Sequence, residues 1–328
     1  MNRSATAAAH PNIALAKYWG KSPGGTNAPA VPSLSVTLEG METRTTVRFS
    51  DDLVHDGFVL DGAAAAPAET SRVTGLLDLV RGLAGISQRA EVTSRNDFPT
   101  ASGLASSASG FAALALAASS AAGLPLDLAV ASDLARRASA SSARSLFGGF
   151  VELAAGDGTD AFLPARPVAP PEALALSVCV AVTTEARKEV ASRSGMNHTA
   201  ATSPYYQAWL AHAPNTFAII RSAVLSGDFL ALGEAVEESA LAMHASAIAA
   251  RPGIVYWNGA SVEALAAVRA LRASGTPAFA TMDAGPHVKV LCHRTHEAIV
   301  VAALSAVPGV RRVLVTHPGG GARLLPPE

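Results

Sequence analysis

The sequence predicts an α+β fold, arranged either as one large domain or as two lobes. Predicted strands and helices follow one another without the regular alternation that builds a parallel sheet. The chain has 328 residues, more than a single small core needs. Hydrophobic residues make up 49% and charged residues 16% of the chain, so there is enough apolar material for a packed interior.

In the first half, alternating residues rich in Val and Thr predict strands, and apolar residues at helical spacing predict helices. Residues 33–50 alternate and predict a pair of strands, while 58–62 predict a strand that ends in a turn. Apolar positions recur through 69–83 in a helical rhythm. The other predicted elements are a strand at 90–94, an Ala-rich helix at about 104–122, a helix at about 127–137, and strands at 147–155 and 174–182.

The second half opens with a polar segment, 185–204, that we predict to be a loop. Long apolar-periodic stretches after it predict helices, and short apolar runs predict strands. These elements are helices at about 205–226, 229–249 and 261–273, strands at 277–282 and 288–292, a helix at about 295–307, and a last strand at 310–316.

Charge and cysteine content exclude several function classes. The net charge is −1 and the pI is near 6.8, and no basic stripe is available for nucleic acid or an anionic membrane. Any bound anion must therefore be held by a local pocket. Cys179 and Cys292 lie in apolar runs and read as core residues of a reducing compartment. The N-terminus lacks the apolar stretch of a signal peptide, so we expect a cytoplasmic protein.

The strongest local signal is the Gly/Ser-rich segment 99–110 (PTASGLASSASG), which lies between a predicted strand and the Ala-rich helix. Gly103 permits a close backbone approach, and the residues after it would present N–H groups and hydroxyls at a helix N-terminus, which favours phosphate. Ser106 and Ser107 could donate to phosphate, and a serine hydroxyl can ligate Mg²⁺. The segment has neither a Walker A nor a GxGxxG pattern. A simple turn capping a helix stays open as the alternative.

Taken together, five segments in fixed order resemble the GHMP kinase superfamily and, within it, the mevalonate diphosphate decarboxylases. Besides 99–110, these segments are 10–21 (HPNIALAKYWGK), 139–149 (SASSARSLFGG), 192–196 (SRSGM) and 282–286 (MDAGP). The stretches 243–253 and 313–322 extend the resemblance to almost the whole chain. It implies a two-lobed GHMP kinase fold, with a ribosomal-protein-S5-like N-terminal lobe (1–184) and a ferredoxin-like C-terminal lobe (185–328). The active site would lie in the cleft between the lobes.

The resemblance also implies catalytic roles for Asp283, Lys17 and Arg144. Asp283 would face the tertiary hydroxyl of mevalonate 5-diphosphate, Lys17 would lie beside it, and Arg144 would hold the substrate carboxylate. Taken alone, the aspartate reads as a turn cap and the arginine as a helix cap. Further substrate contacts implied by the resemblance are Asn12 at the carboxylate and Tyr18, Lys21, Ser139, Ser141, Ser192 and Arg193 at the phosphates.

ATP and Mg²⁺ are the cofactors that the resemblance implies. The nucleotide would contact residues in and just before the Gly/Ser-rich segment, namely Ser94, Asn96, Gly103, Ala105, Ser106, Ser107 and Ala108. It would also contact Lys188, in the polar segment before Ser192. Ser107 would ligate the Mg²⁺ that accompanies ATP. The histidines show no zinc-ligand spacing, and we expect His244 to be packed rather than catalytic. The expected partners are the small-molecule substrate and ATP. The resemblance also implies a second copy of the chain, because members of the family are usually homodimers.

Several positions depart from the family pattern. Ser22-Pro23 and Val31-Pro32 replace the usual Arg-Asp and Asn-Ser, Ala138 and Ala140 replace glycines, and His287 replaces an asparagine. The first two changes border the implied substrate pocket, so a paralogue acting on mevalonate 5-phosphate, or a mevalonate 3-kinase, stays open. An ordinary GHMP kinase such as homoserine kinase also stays open, as does a non-catalytic binding protein on the same fold.

Overall fold

The computed structural model describes residues 3–24, 26–98, 106–159, 161–186 and 189–326. The strands in chain order are β1 (Arg3–Ala9), β2 (Asn12–Ala16), β3 (Ser33–Thr37), β4 (Thr43–Ser50), β5 (Gly57–Leu60), β6 (Ala63–Ala64), β7 (Arg89–Asn96), β8 (Phe150–Leu153), β9 (Arg166–Ala169), β10 (Leu176–Val182), β11 (Ala278–Thr281), β12 (Val288–His293), β13 (Arg312–Thr316) and β14 (Arg323–Leu325). The α-helices are α1 (Pro67–Ala84), α2 (Ser106–Ala121), α3 (Leu128–Ala138), α4 (Ser192–Thr202), α5 (Tyr206–Ser226), α6 (Phe229–Ile248), α7 (Gly259–Ala273) and α8 (Glu297–Ser305).

The first lobe is built on a sheet of strand order β14-β1-β4-β7-β5-β6, in which β5 and β7 pair in parallel and the other described pairs are antiparallel. Helices α1, α2 and α3 cover one face of this sheet. Alanines of α2 are fully buried there, because small side chains let the helix lie close to the strands. This packing fixes the first turn of α2 against the sheet.

The second lobe is built on an antiparallel sheet of order β11-β12-β10-β13 with helices on both faces. On β10, Val178 and Val180 face α5 and α6, whereas Cys179 and Ala181 face α7 and α8. Both faces are therefore apolar, which explains the uninterrupted hydrophobic run of this strand. Both thiols are buried, as the sequence predicted.

A third sheet, of order β2-β3-β8-β9, lies between the lobes. Ile13 of β2 and Leu34 of β3 share a core with α5 and α6 of the second lobe. This shared core holds the residues just after β2 against the second lobe. At the other end of the chain, β14 returns to the first sheet and pairs with β1.

The predicted α+β class is confirmed, and the predicted strands and helices have counterparts at nearly the same positions. The division at 184/185 stays a prediction, although β10 pairs with the strands of the second half. Within the described residues, no helix is long and apolar enough to span a membrane.

Two sequence predictions of local structure were wrong. The predicted loop 185–204 contains α4, whose buried face consists of Gly195, Met196 and Thr199 rather than a large apolar stripe. Strand β14 follows the strand that we predicted to be the last. The segment 3–16 forms β1 and β2, although its alanines have low strand propensity, because pairing with β4 and β3 overrides that propensity.

Candidate active site

Asp283 lies just beyond the end of β11, at the start of a tight turn in which its carbonyl accepts from the Gly285 N–H at 2.7 Å. Its carboxylate is held between two ammonium groups. Lys17 Nζ lies 2.8 Å from Oδ1, and Lys289 Nζ lies 2.9 Å from Oδ2. The lysine side chains are 1% and 2% exposed, whereas that of Asp283 is 30% exposed. One edge of a doubly paired carboxylate is thus open to a ligand.

Lys17 follows β2, so it comes from the sheet between the lobes. Its backbone N–H donates to Ser239 Oγ of α6 at 3.0 Å, and its Nζ donates to the Ala14 carbonyl at 2.8 Å. These bonds hold the backbone and the ammonium group while the latter reaches Asp283. The candidate catalytic pair is therefore assembled from both parts of the chain.

The charges of this cluster shift one another's protonation. Burial by itself would raise the pKa of the Asp283 carboxyl, but the ammonium groups of Lys17 and Lys289 outweigh it and hold the pKa well below its usual range. Burial lowers the pKa of Lys17 to about 8, although attraction to Asp283 opposes the fall. Asp283 is therefore ionised at neutral pH, and Lys17 is mostly charged.

Arg144 lies on the 3-10 helix Ala140–Leu146, and its guanidinium is buried among hydroxyls as the sequence suggested. Nε donates to Ser35 Oγ at 2.9 Å and Nη1 donates to Ser33 Oγ at 2.7 Å. Burial lowers the pKa of this guanidinium to about 10, so it stays charged at neutral pH. Its charge interacts with those of Lys17 and Asp283, which places the three predicted catalytic residues in one electrostatic cluster.

Asn12 is hydrogen-bonded to the same 3-10 helix. Its Nδ2 donates to the Ser141 carbonyl at 3.0 Å and to Ser145 Oγ at 2.7 Å. Both amide hydrogens are thus used to hold the segment that carries Arg144. A direct contact between Asn12 and a substrate carboxylate stays a prediction.

A second positive cluster lies at the start of α4 and the end of α3. Arg72 Nη2 and Arg193 Nη2 both donate to the Ala138 carbonyl, at 3.3 and 3.2 Å. Burial and then these two guanidinium groups lower the pKa of Lys21. Tyr18 interacts with both Arg144 and Arg193, and burial raises its pKa to about 12. The phenol therefore stays neutral and connects the two clusters.

The predicted serine ligands lie beside this second cluster. Ser139 directly follows α3, and its Oγ lies 3.4 Å from Ser141 Oγ, with both side chains half-buried. Ser192 is the first residue of α4 and is half-buried next to the exposed Arg193. Hydroxyl donors and cations are therefore combined in one small area, a chemistry suited to a polyphosphate.

The predicted nucleotide residues are only partly described. Gly103, Ala105 and Lys188 lie outside the described residues, as does the side chain of Ser106. Ser107 is exposed in the first turn of α2, which carries no acidic residue, and Ala108 is buried behind it. Ser94 Oγ bonds to Thr45 Oγ1 at 2.9 Å, and Asn96 Oδ1 accepts from Thr43 Oγ1 at 2.6 Å. The nucleotide contacts of all these residues stay predictions.

Sequence reasoning missed two residues of the site, Lys289 and Arg72. Lys289 interrupts the apolar run of β12, and a charged residue in a buried strand needs a partner, so that signal was available. Arg72 lies on α1, where its guanidinium stacks 4.5 Å from the centre of the Phe111 ring, and nothing in its sequence context marks it.

His244 is fully buried on α6, and its ring packs against Tyr256 and Trp257. Burial lowers its pKa to about 3, so the imidazole is neutral. This agrees with the packed role expected for it. Within the described ranges, no group of three or more His, Cys, Asp or Glu side chains is placed to hold a metal ion.

Comparison with known proteins gives matches over both lobes. A family model described as the diphosphomevalonate decarboxylase-like N-terminal domain matches residues 9–162, and one described as the mevalonate 5-diphosphate decarboxylase C-terminal domain matches 178–319. The crystal structure of mevalonate diphosphate decarboxylase from Staphylococcus aureus is 37% identical and covers 99% of both chains, with a TM-score of 0.93.

Two further relatives bear on ligands. The structure of MDDEF in complex with MVAPP, AMPPCP and magnesium is 38% identical over 99% of both chains, with a TM-score of 0.91. The phosphomevalonate decarboxylase of Haloferax volcanii is 34% identical and the match covers 89% of each protein. The chain is thus similar to enzymes described as acting on the diphosphate and to one described as acting on the monophosphate.

Proposed function

We propose, because this chain belongs to the diphosphomevalonate decarboxylase family, that it catalyses the ATP-dependent decarboxylation of mevalonate 5-diphosphate. The products would be isopentenyl diphosphate, ADP, phosphate and CO₂. The observation that carries the proposal is the pairing of Asp283 with Lys17 and Lys289 at one end of a row of positive charges. The other end of that row is the Lys21, Arg72 and Arg193 cluster.

The substrate's charges match this arrangement. Mevalonate 5-diphosphate carries a carboxylate and a tertiary hydroxyl at one end and a diphosphate at the other. We place the diphosphate at Arg193, Lys21 and Arg72 with the hydroxyls of Ser139, Ser141 and Ser192. The carboxylate would then pair with Arg144, whose planar guanidinium suits it. Tyr18, between the two clusters, would donate a hydrogen bond to a phosphate oxygen.

Asp283 would accept a hydrogen bond from the 3-hydroxyl through its open edge. A carboxylate whose pKa lies far below neutral stores a proton poorly, so its main work is to orient the hydroxyl oxygen for attack on phosphorus. The oxygen would form the new bond to the γ-phosphorus as the bond from that phosphorus to the β–γ bridging oxygen breaks and ADP leaves. The hydroxyl proton would pass to solvent by way of Asp283. When the 3-phosphate later departs with its C–O electrons, the C–C bond to the carboxylate supplies the electrons of the alkene and CO₂ is released.

ATP with Mg²⁺ supplies the phosphoryl group and neutralises its charge when bound. The exposed Ser107 hydroxyl and the N-terminus of α2 suit phosphate, because no acidic side chain lies in that first turn. We place Mg²⁺ at Ser107 and the nucleotide phosphates at the Gly103 segment and Lys188. MDDEF has been captured with MVAPP, AMPPCP and magnesium, which supports this pairing of ligands.

The alternative substrate is mevalonate 5-phosphate, because one relative is described as a phosphomevalonate decarboxylase. Three cations converge beyond Tyr18, more than a single phosphate requires, and this favours the diphosphate. We further expect a cytoplasmic homodimer. Light scattering on the purified protein tests the dimer, which a monomer mass at all concentrations would contradict.

The proposed function is tested by incubating the protein with ATP, Mg²⁺ and each of mevalonate, its 5-phosphate and its 5-diphosphate. ADP, phosphate and CO₂ are measured separately. We expect equal amounts of the three products, fastest with the 5-diphosphate. ADP without CO₂ would indicate a 3-kinase, and a preference for the 5-phosphate would indicate the paralogue. No turnover with any of the three substrates would contradict the proposed enzymatic activity.

A further inference from the structure

We propose that Lys289 is a positioning residue for the reaction, acting through Asp283 rather than on the substrate. The proposal rests on the proposed function, because it concerns the residue that would orient the 3-hydroxyl. Lys17 and Lys289, which come from different elements, would together set the charge and orientation of the same carboxylate. The evidence is the place of Lys289 in the sheet and the atom of Asp283 that it contacts.

Lys289 lies within β12, which is hydrogen-bonded on both sides. Its neighbours across the strands are Thr281 on β11 and Val180 on β10. Its side chain shares a face with Leu291, which packs against α5 and α6. A lysine on such a strand has a fixed backbone. The side chain is 2% exposed, and its ammonium group contacts Asp283.

The two lysines divide the carboxylate between them. Lys17 Nζ contacts Oδ1 at 2.8 Å and Lys289 Nζ contacts Oδ2 at 2.9 Å. Rotation of the carboxylate about its Cβ–Cγ bond would break both contacts, so the group is locked in one plane. Each oxygen keeps acceptor capacity that no lysine uses. This capacity is available at the partly exposed edge, where the hydroxyl would arrive.

The electrostatic consequence follows from all the groups that face Asp283. They are Lys17 from the segment after β2, Lys289 from β12, Arg144 from the 3-10 helix and the neutral His244 from α6. Three buried cations face one carboxylate, which leaves positive charge for an anionic substrate. Without Lys289, one contacting ammonium would remain, and the carboxyl would titrate at higher pH.

The test compares Lys289→Met and Lys289→Arg with the wild type on mevalonate 5-diphosphate. We expect Lys289→Met to lower kcat by about 10- to 100-fold, because a displaced orienting group costs that much. KM should change by less than about threefold, since Lys289 does not touch the substrate. Lys289→Arg keeps the charge and should recover most of the lost kcat.

A double mutant separates positioning from mere stability. If Lys289 acts through Asp283, adding Lys289→Met to Asp283→Asn should leave kcat unchanged within about twofold. A full additional loss in the double mutant would overturn the proposal. So would a kcat of Lys289→Met equal to that of the wild type, because a purely structural ion pair would lower the melting temperature alone.

Arg272→Met is the matched control in the same lobe. Arg272 pairs with Glu237 at 2.8 Å and donates to the Ala278 carbonyl, on the opposite side of β11 from the site. We expect it to lower the melting temperature without changing kcat. If the wild-type protein itself shows no turnover, the proposed function fails; if the wild type is active and Lys289→Met behaves like Arg272→Met, only the role of Lys289 fails.

Discussion

Lys17 and Asp283 are 266 positions apart in the chain, yet Nζ and Oδ1 lie at 2.8 Å. The lysine comes from the sheet between the lobes and the aspartate from the end of β11. Their ion pair is buried on the lysine side and partly open on the aspartate side. The candidate catalytic pair therefore exists only in the folded chain, and the properties of that pair can be measured.

The first prediction concerns the basic limb of the pH–rate profile. Burial lowers the pKa of Lys17 to about 8 in the free protein. Below that pH the ammonium is charged and pairs with Asp283; above it the proton is lost and the pair weakens. We therefore expect kcat/KM to fall as pH rises through about 8, since this ratio reports the free enzyme.

Lys17→Arg tests the assignment of that limb. A guanidinium stays charged throughout the accessible pH range, so the limb near pH 8 should disappear even if the rate is lower. The acid side should show no titration of Asp283 near neutral pH, because its pKa lies well below the usual range. A basic limb that is the same in Lys17→Arg would show that another group causes it.

The second prediction concerns phosphate recognition. Arg193→Ala removes a guanidinium at the start of α4 that would contact the terminal phosphate. We expect KM for mevalonate 5-diphosphate to rise by about 10- to 100-fold, the usual effect of losing one charge-assisted hydrogen bond. KM for the 5-phosphate should rise much less. Arg312→Ala, on the exposed outer strand β13, is the control and should change neither. Equal losses with both substrates would refute the assignment.

The third prediction concerns the C-terminal segment 316–322, which packs backbone to backbone on the end of the 3-10 helix that carries Arg144. A Cβ on Gly148 would lie 2.8 Å from Gly321 N, closer than any real contact. Gly148→Ala should cost about 1–3 kcal/mol of stability and lower kcat, because the helix must shift. A Cβ on Gly320 would meet nothing within 4 Å, so Gly320→Ala is the matched control. Equal melting temperatures for the two variants would contradict this account.

The sequence predicted three residues that meet in the candidate site, whereas their roles stay predictions. Asp283, Lys17 and Arg144 could be found because each lies in a segment that is recognisable as a motif. Lys289 was missed because it stands inside an apolar strand, and its partner is brought near only by the turn after β11. Residues next to glycines and hydroxyls are recognisable as parts of a motif, whereas a single charge inside a core strand is not.

The helix α4 was missed for a different physical reason. Its buried face includes Gly195, where a Cβ would clash with Tyr256 Oη, so close packing replaces hydrophobic area there. Asn12 shows a similar limit, because the family resemblance implied a substrate contact, whereas its hydrogen-bond partners in the structure are Ser141 and Ser145. Contacts made across more than a hundred residues are not visible in local patterns.

The central claim is that the negative charge of Asp283 acts on the 3-hydroxyl. Asp283→Asn keeps the size of the side chain and an acceptor oxygen but removes that charge. We predict that kcat falls by about 10²- to 10⁴-fold, the range for a positioned acid–base group, while ATP affinity stays within about twofold. A loss confined to kcat means that the interaction is made in the transition state.

The most direct measurement is a single-turnover time course of Asp283→Asn with mevalonate 5-diphosphate, in which ADP and CO₂ are followed together. Phosphorylation must precede decarboxylation, so the account predicts that both products slow by the same factor. Titration of ATP and a melting curve serve as controls for binding and folding. Turnover above about a tenth of the wild-type rate would contradict the claim. So would normal ADP formation without CO₂, because Asp283 would then act after phosphoryl transfer.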